Sequence, residues 1–277
     1  MSASSPIPVV IINGFLGAGK TTLFRNLLGQ ARKKDLKVCV VVNDMSELDV
    51  DGELIARTDI VEDNSVILQS IHSCVLSSKL GIQKLDEAIK TLLASQDPDL
   101  IIIETSGSCH PGPLVAFFQK QAHLKLTGLL VLVDSLMLSH DYEYGEQLVP
   151  RMRHNLENQK RDTVNLLVEQ IMFCSHLLLT KADRIQQDKL TDIAQFVQGI
   201  NPFVSIYSVV FGRLSIDQVL AMPEYQYQRV ETLIQELQPV FRSEDYGDRP
   251  YNMATRIIKD DRPFHPQRLW YSGIAKT

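Results

Sequence analysis

The sequence lacks a basic patch, a long apolar run and a leader-like start. Lys and Arg number 28 against 33 Asp and Glu, which gives a formal net charge of −5 over 277 residues. There is no block of consecutive basic residues to attract nucleic acid or an anionic membrane surface, so neither partner is expected. No apolar run approaches the roughly 18 residues of a membrane-spanning helix. The first residues, MSASSPIP, lack the basic and apolar regions of a signal peptide. We therefore expect a cytoplasmic protein.

Cysteine is scarce as well, with four residues, Cys39, Cys74, Cys109 and Cys174. A chain of this length can bury a substantial core and does not need disulfide bonds to fold. Cys39 and Cys174 stand among apolar residues and are predicted to be small core side chains.

Seven short runs rich in Val, Ile and Leu recur along the chain: PVVII, KVCVVVN, SVIL, LIII, LLVLV, HLLLT and FVSIY. They are nearly continuous rather than alternating, which is typical of parallel strands covered on both faces. Amphipathic stretches such as TTLFRNLLGQARKK and KLDEAIKTLLASQ lie between them. The alternation predicts an α/β fold with a mostly parallel sheet flanked by helices on both faces.

The alternating pattern extends over residues 1–220, which are predicted to form one domain. Residues 221–250 are rich in Gln, Glu, Tyr and Pro and are predicted to be a connector. Residues 251–277 have room for one strand and part of a helix, which is too little for an independent core. Within the first domain, residues 135–160 combine mixed charge with aromatic residues, which fits a mobile insertion.

The stretch GFLGAGKTT has the spacing of a phosphate-binding loop. Its first glycine is followed, after four residues, by Gly-Lys-Thr, and it lies between a predicted strand and a predicted helix, as in P-loop NTPases. Glycines let backbone N–H groups converge on phosphate, and the helix N-terminus adds its positive dipole. Lys20 is expected to reach the β- and γ-phosphates, Thr21 to bind Mg²⁺ and Thr22 to approach the α-phosphate. The predicted nucleotide-binding residues here are Gly14, Gly17, Ala18, Gly19, Lys20, Thr21 and Thr22.

A second nucleotide element is expected at the end of another strand, and DLIIIETSG supplies it. Glu104 ends the apolar run and is predicted to hold Mg²⁺ through a water molecule. Gly107, three residues later, can offer its N–H to a γ-phosphate, which favours a switch role. Lys20 and Glu104 are therefore the first two predicted catalytic residues.

A third element, HLLLTKADRI, indicates the base. Asp183 follows an apolar strand, and one carboxylate can accept hydrogen bonds from both N1 and N2 of guanine, a donor pair that adenine lacks. A site built on that pair rejects the wrong base, because the carboxylate would lose its partners. The stem of Lys181 is expected to cover the purine face, and Thr180 completes the predicted base site.

These ordered elements resemble the CobW-type GTPases, relatives of the metallochaperones that serve cobalamin synthesis, hydrogenase and urease. GFLGAGKTT is similar to the family's phosphate loop, VVNDMSELDVDGELI to its first switch, and ETSGSCHPGPL to its second. DTVNLLVEQIMFCSHLLLTKAD is similar to the base-recognition helix and strand, and RPFHPQRLW to the start of the C-terminal domain. The resemblance implies a GTP-dependent switch that binds zinc or another transition metal and delivers it to a metalloprotein client.

The chain departs from this family at the metal motif. Where the family has Gly-Cys-x-Cys-Cys, this sequence has SIHSC, so one cysteine is kept. Cys109 and His110 fill second-switch positions where the family has other residues. If the fold holds, a two-thiolate, two-imidazole zinc site could form from His72, Cys74, Cys109 and His110. The alternative is a decayed motif. In the first switch, the resemblance implies that Glu47, and less strongly Asp44, order a water molecule on Mg²⁺ or on the incoming metal, which makes Glu47 the third catalytic candidate.

Three interpretations remain open from the sequence. The first is a slow, Mg²⁺-dependent GTPase with metal handling as its output. The second is a GTP-dependent regulator or adaptor that has lost metal transfer. The third is a P-loop small-molecule kinase, for which the Lys181 and Asp183 pair would have no role. Association of two chains to complete the site is a further expectation. After RPFHPQRLW the family continues for several tens of residues, so residues 251–277 are predicted to be the remnant of a truncated domain.

Overall fold

The computed structural model describes residues 5–44, 66–72, 74–232, 251 and 265. Its centre is a seven-stranded sheet in which every pairing is parallel. Each of the seven apolar runs forms a strand, so the predicted parallel sheet is confirmed. The strands, in chain order, are β1 Ile7–Gly14, β2 Val38–Asp44, β3 Val66–His72, β4 Leu100–Glu104, β5 Leu124–Asp134, β6 His176–Thr180 and β7 Ser205–Val209.

The α-helices of the described ranges lie between the strands and after the last of them. They are α1 Lys20–Lys33, α2 Lys79–Ser95, α3 Gly112–Phe118, α4 Ser135–Asp141, α5 Leu148–Glu157, α6 Thr163–Phe173, α7 Gln187–Ile200 and α8 Ile216–Leu220. Polar side chains cap several N-termini. The Asp162 carboxylate accepts from Val164 N at 2.8 Å, and Asp162 N donates back to the Asn165 side chain at 3.1 Å. Such reciprocal caps satisfy N–H groups that the helix itself leaves unpaired.

Core side chains cover both faces of the sheet. Successive residues of a strand point to opposite faces, so Val9 and Ile11 join one apolar cluster while Val10 and Ile12 join the other. Helices α1 and α8 cover the second cluster, and α2, α3, α6 and α7 cover the first. Cys39 and Cys174 are buried in the core, as predicted. The prediction of helices on both faces is also confirmed.

The strand order, β3-β2-β4-β1-β5-β6-β7, determines where a site can form. Strands β2, β3 and β4 lie on one side of β1, and strands β5, β6 and β7 lie on its other side. In open parallel sheets, ligands bind beyond the carboxyl ends of the strands, where the strand order reverses. The loops after β1, β4, β6 and β7 all emerge at that edge. None of the helices in the described ranges is long and apolar enough to cross a membrane.

Candidate nucleotide-binding site

The phosphate loop joins β1 to α1 through three glycines with positive φ. Gly14, Gly17 and Gly19 have φ angles of 137°, 77° and 96°, a region that residues with a Cβ adopt only with strain. Gly19 precedes α1 without a side-chain hydrogen bond to the helix N–H groups. The first N–H groups of α1 thus face the loop, which suits them to an anionic ligand.

The glycines near the loop serve two different physical purposes. A Cβ added to Gly14 would lie 2.4 Å from the carbonyl oxygen of Leu132 in β5, and one added to Gly107 would lie 2.8 Å from the backbone nitrogen of Leu16. A Cβ on Gly17 or Gly19 would meet no atom within 4 Å. Gly14 and Gly107 thus permit close backbone packing, whereas Gly17 and Gly19 border open space.

Three polar side chains predicted from sequence lie around this loop. Lys20 is only 8% exposed, and its ammonium donates to the carbonyls of Gly14 at 2.8 Å and Phe15 at 3.0 Å. The Thr21 hydroxyl donates to Glu104 Oε1 at 3.0 Å. A hydroxyl beside a carboxylate is an all-oxygen donor pair of the kind that Mg²⁺ prefers. The structure therefore brings Lys20, Thr21 and Glu104 together as the sequence predicts, and the donor chemistry fits magnesium.

The loop after β4, residues 105–111, is held by buried amides that the sequence analysis missed. The Asn13 side chain donates to Cys109 O at 3.2 Å, and Gln170 Nε2 donates to the same oxygen at 3.2 Å. The Asn43 amide donates to Ile71 O at 3.1 Å and to Cys74 O at 2.8 Å. Asn43 also accepts from Ser106 N at 3.4 Å. Polar residues inside strands that are otherwise apolar were the available signal for Asn13 and Asn43.

The predicted base-recognition residues follow β6. Thr180 is buried, and its hydroxyl donates to Val133 O at 3.3 Å. Lys181 has a φ of 54° and forms an ion pair with Asp134, the residue that ends β5 and caps α4. Asp183 is exposed within a short 3₁₀ turn. The Thr180 side chain therefore links β6 to β5. Lys181 and Asp183 lie beyond the end of β6, where their polar atoms are accessible to solvent.

The loop after β7 approaches the start of α1, which sequence reasoning did not anticipate. A Cβ on Gly212 would lie 2.8 Å from Leu23 N, and Asn26 donates to Phe211 O at 2.9 Å. Phe211 itself is 67% exposed. The loop is therefore fastened to the helix that begins at the phosphate loop.

The four candidate zinc ligands are not assembled into a metal site. His72 ends β3, and Cys74 follows two residues later, whereas Cys109 and His110 follow β4. Within the described ranges, no group of three or more His, Cys, Asp or Glu side chains is arranged to hold a metal ion. Burial raises the pKa of the Cys109 thiol to about 12 and also raises that of Cys74. Both thiols are therefore protonated at neutral pH in this arrangement, and a bound metal would have to displace their protons.

His110 has other partners in place of a metal. Its Nδ1 accepts from Gly112 N at 3.0 Å, and its Nε2 lies 3.3 Å from Glu169 Oε2. The ring also meets Phe173 edge to face, with centroids 5.1 Å apart. Sequence spacing could not reveal that His110 packs against α6, because Glu169 looks like any other helical glutamate.

The two first-switch candidates lie at the limit of what is described. Asp44 is the last residue of β2, where its register partner is His72 of β3. Glu47 lies outside the described residues. Its role in ordering a water molecule stays a prediction.

Residues 8–208 match the family described as CobW/HypB/UreG, nucleotide-binding domain. The chain belongs to this family. The matched region contains the phosphate loop, the loop after β4 and the turn after β6, and it ends within β7.

Individual relatives are more distant. Zinc-regulated GTPase metalloprotein activator 1 of Dictyostelium discoideum is 26% identical over 283 residues, which cover 95% of this chain and 58% of that protein. Zinc chaperone CobW of Pseudomonas aeruginosa is 28% identical over 237 residues, covering 80% of this chain and 61% of that protein. The Zn(II)-bound YjiA GTPase of E. coli is similar with a TM-score of 0.49 and 24% identity, covering 74% of this chain and 58% of that one. The chain therefore spans about six tenths of the length of these relatives.

Proposed function

We propose that this protein is a Mg²⁺-dependent switch that binds and hydrolyses GTP. The observation that carries the proposal is the Thr21 and Glu104 contact beside a glycine loop with positive φ at the start of α1. A Lys20 ammonium within the same loop adds the positive charge that a triphosphate requires. Family membership supports the same conclusion.

Each residue of the loop has a separate task in this proposal. The N–H groups of residues 17–22 surround the phosphates, and Lys20 exchanges its carbonyl partners for phosphate oxygens. Thr21 would hold Mg²⁺ directly, and Glu104 would hold it through a water molecule. The ion, when bound, neutralises charge on the β- and γ-phosphates. Gly107 offers its N–H to the γ-phosphate, since its Cα already lies against the phosphate loop at Leu16.

The base is assigned to the turn after β6. Asp183 is exposed and can accept from N1 and N2 of guanine. Lys181 is tied to Asp134 by its ammonium, which leaves its methylene stem to cover the purine ring. Adenine has neither an N1–H nor a 2-amino group, so it cannot form these two hydrogen bonds with the Asp183 carboxylate. The small-molecule kinase reading gains no support from this arrangement, because it assigns no role to these two residues.

Hydrolysis would proceed by in-line attack of water on the γ-phosphate without a covalent intermediate. The protein contributes position and charge through Lys20 and the backbone N–H groups. Within the described ranges, Arg151 lies over the ring of Tyr142 and Arg161 pairs with Glu169, so neither of these arginines is engaged with the phosphate loop. Slow intrinsic turnover is therefore expected.

Metal handling is the proposed output of the switch. Relatives named as a zinc chaperone and as a zinc-regulated metalloprotein activator support it. A second candidate, a nucleotide-state adaptor without metal transfer, is favoured by one observation: Nε2 of His110, a candidate zinc ligand, lies 3.3 Å from Glu169 Oε2. Zinc affinity measured by chelator competition separates the two candidates. Binding that tightens with a GTP analogue relative to GDP supports metal delivery to a client, and weak binding in both states supports the adaptor.

The nucleotide proposal itself is tested by competition. The full-length protein is loaded with a fluorescent GDP derivative, and GTP or ATP displaces it in the presence of Mg²⁺. We expect GTP to compete at least about 100-fold better than ATP, because a site built to hydrogen-bond a base rejects the analogue that lacks those donors. Phosphate release from GTP should be Mg²⁺-dependent. Equal competition by ATP would contradict the base assignment.

A further inference from the structure

Helix α6 carries an unusual pair of buried polar residues. Residues 164–173 are all buried, and Glu169 and Gln170 are both 0% exposed. A carboxylate removed from water in this way is costly unless it is paired. Glu169 is paired on both oxygens: Oε1 with the Arg161 guanidinium, and Oε2 with His110 and with the hydroxyl of Tyr251.

The partners keep Glu169 ionised. Burial by itself would raise the pKa of this carboxyl, but the hydrogen bond from His110, the charge of Arg161 and the hydrogen bond from Tyr251 lower it below its usual value. A charged group that joins three partners is expected to hold all of them in fixed positions.

Glu169 and its partners Arg161, His110 and Tyr251 form a buried cluster, and through His110 this cluster contacts the loop after β4. His110 Nε2 lies 3.3 Å from Glu169 Oε2, and the neighbouring Gln170 donates to Cys109 O at 3.2 Å. Helix α6 thus binds two consecutive residues of the loop. Gly107, at the start of the same loop, packs against the phosphate loop so closely that a Cβ would lie 2.8 Å from Leu16 N.

Through Tyr251 the cluster contacts a residue that follows the last strand of the sheet by about forty positions in the sequence. Tyr251 follows β7 and α8 and is 2% exposed. Its hydroxyl donates to Glu169, and the Arg161 guanidinium lies 5.4 Å from the centre of its ring. A single carboxylate is therefore shared between a loop of the nucleotide site and a distant point of the chain.

We propose that Glu169 is a positioning residue that couples the two. Through His110 it holds the loop after β4 against the phosphate loop, and through the hydrogen bond from the Tyr251 hydroxyl it links the position of that loop to the position of Tyr251. The inference rests on the proposed function, since it takes Gly107 as a γ-phosphate contact. Coupling of this kind is reciprocal: whatever loosens Tyr251 should weaken triphosphate binding, and triphosphate should tighten Tyr251.

The test is the deletion of one hydroxyl, Tyr251→Phe. We expect affinity for a non-hydrolysable GTP analogue to fall by three- to tenfold while affinity for GDP changes less than twofold, both measured on the full chain with Mg²⁺. Tyr225→Phe is the matched control. Tyr225 is 3% exposed, and its hydroxyl donates to Phe173 O at 2.5 Å, so it is fastened to the end of the same helix without touching Glu169. The control should leave the ratio of the two affinities unchanged.

A second measurement uses the unmodified protein, so its result does not depend on whether the variant folds. Hydrogen exchange of the peptide that contains Tyr251 should be at least threefold slower with the GTP analogue than with GDP. Equal exchange in both states, or equal weakening of both nucleotides by Tyr251→Phe, would overturn the coupling alone. Failure of the unmodified protein to bind guanine nucleotides would overturn the proposed function and the coupling with it.

Discussion

Replacing Gly14 by Ala should destabilise the fold far more than the same change at Gly17. Both residues have positive φ, so an alanine at either position is strained by about 1–2 kcal/mol. At Gly14, however, the new Cβ would lie 2.4 Å from Leu132 O and 2.9 Å from Leu132 N. These are backbone atoms of the neighbouring strand, which can yield only if β1 and β5 separate. Overpacking of this kind adds about 1–3 kcal/mol, so we expect a loss of about 2–5 kcal/mol for Gly14→Ala and about 1–2 kcal/mol for Gly17→Ala.

The assay is chemical denaturation of the nucleotide-free protein, with the unfolding free energy extrapolated to zero denaturant. A nucleotide titration of the same variants gives the complementary result. The methyl group of Gly17→Ala meets no protein atom within 4 Å. If the phosphates bind in this loop as proposed, the methyl group competes with them for that space, and nucleotide affinity should fall at least about tenfold, equivalent to about 1.4 kcal/mol, while stability is largely kept. Equal stability losses at the two positions would refute the close-packing argument. Unchanged nucleotide affinity in Gly17→Ala would refute the placement of phosphate in the loop.

Three further predictions concern polar groups of the fold and the site. Asn43→Ala should lower the unfolding free energy by about 2–4 kcal/mol, because two buried carbonyls lose their donor; a loss below 1 kcal/mol in denaturant titrations would contradict this. Burial lowers the pKa of His176 from its ordinary value of 6.5, so the unfolded state takes up the proton first and stability should fall as pH drops below about 6.5. His176→Gln should flatten that slope between about pH 7.5 and 5.5, and an unchanged slope would show that other groups cause it. Thr21→Ala should abolish most of the effect of Mg²⁺ on GTP affinity while leaving Mg²⁺-free binding nearly intact; an undiminished Mg²⁺ effect in a titration would rule out the hydroxyl as a ligand.

The fold could be predicted because its signals are local. Strands covered on both faces by helices are largely apolar, and β4 shows this, because its five residues are all buried and the first four, LIII, are apolar. The phosphate loop could also be predicted, since Gly, Lys and Thr occur there at fixed spacing within a few residues. In both cases the physical requirement acts on neighbouring positions of the chain.

The metal hypothesis depended on contacts between distant positions, and there the sequence was not sufficient. Cysteine and histidine act as a metal site only where the fold brings several of them together, and within the described ranges no group of three or more His, Cys, Asp or Glu side chains is arranged in that way. Glu169, the carboxylate that contacts His110, belongs to helix α6, which is distant in sequence from the loop that carries His110. Local composition does not show which buried charges will meet, so the cluster of Glu169, Arg161 and Tyr251 was not predicted.

The insertion at residues 135–160 was misjudged for a different reason. Its mixed charge fits a mobile segment, yet the structure folds most of it into α4 and α5, with Leu138, Leu148 and Met152 buried in the core. A few apolar residues at helical spacing therefore outweighed the average polarity of the segment.

The central claim, that this edge of the sheet binds a guanine nucleotide through Asp183, is tested most directly by Asp183→Asn. An aspartate accepts from N1 and N2 of guanine, whereas an asparagine presents one acceptor and one donor, which match the N1–H and C2 carbonyl of xanthine. We expect the unmodified protein to prefer GDP over xanthosine diphosphate by at least about 100-fold and the variant to reverse the preference. A variant that still prefers GDP by the same ratio would contradict the claim.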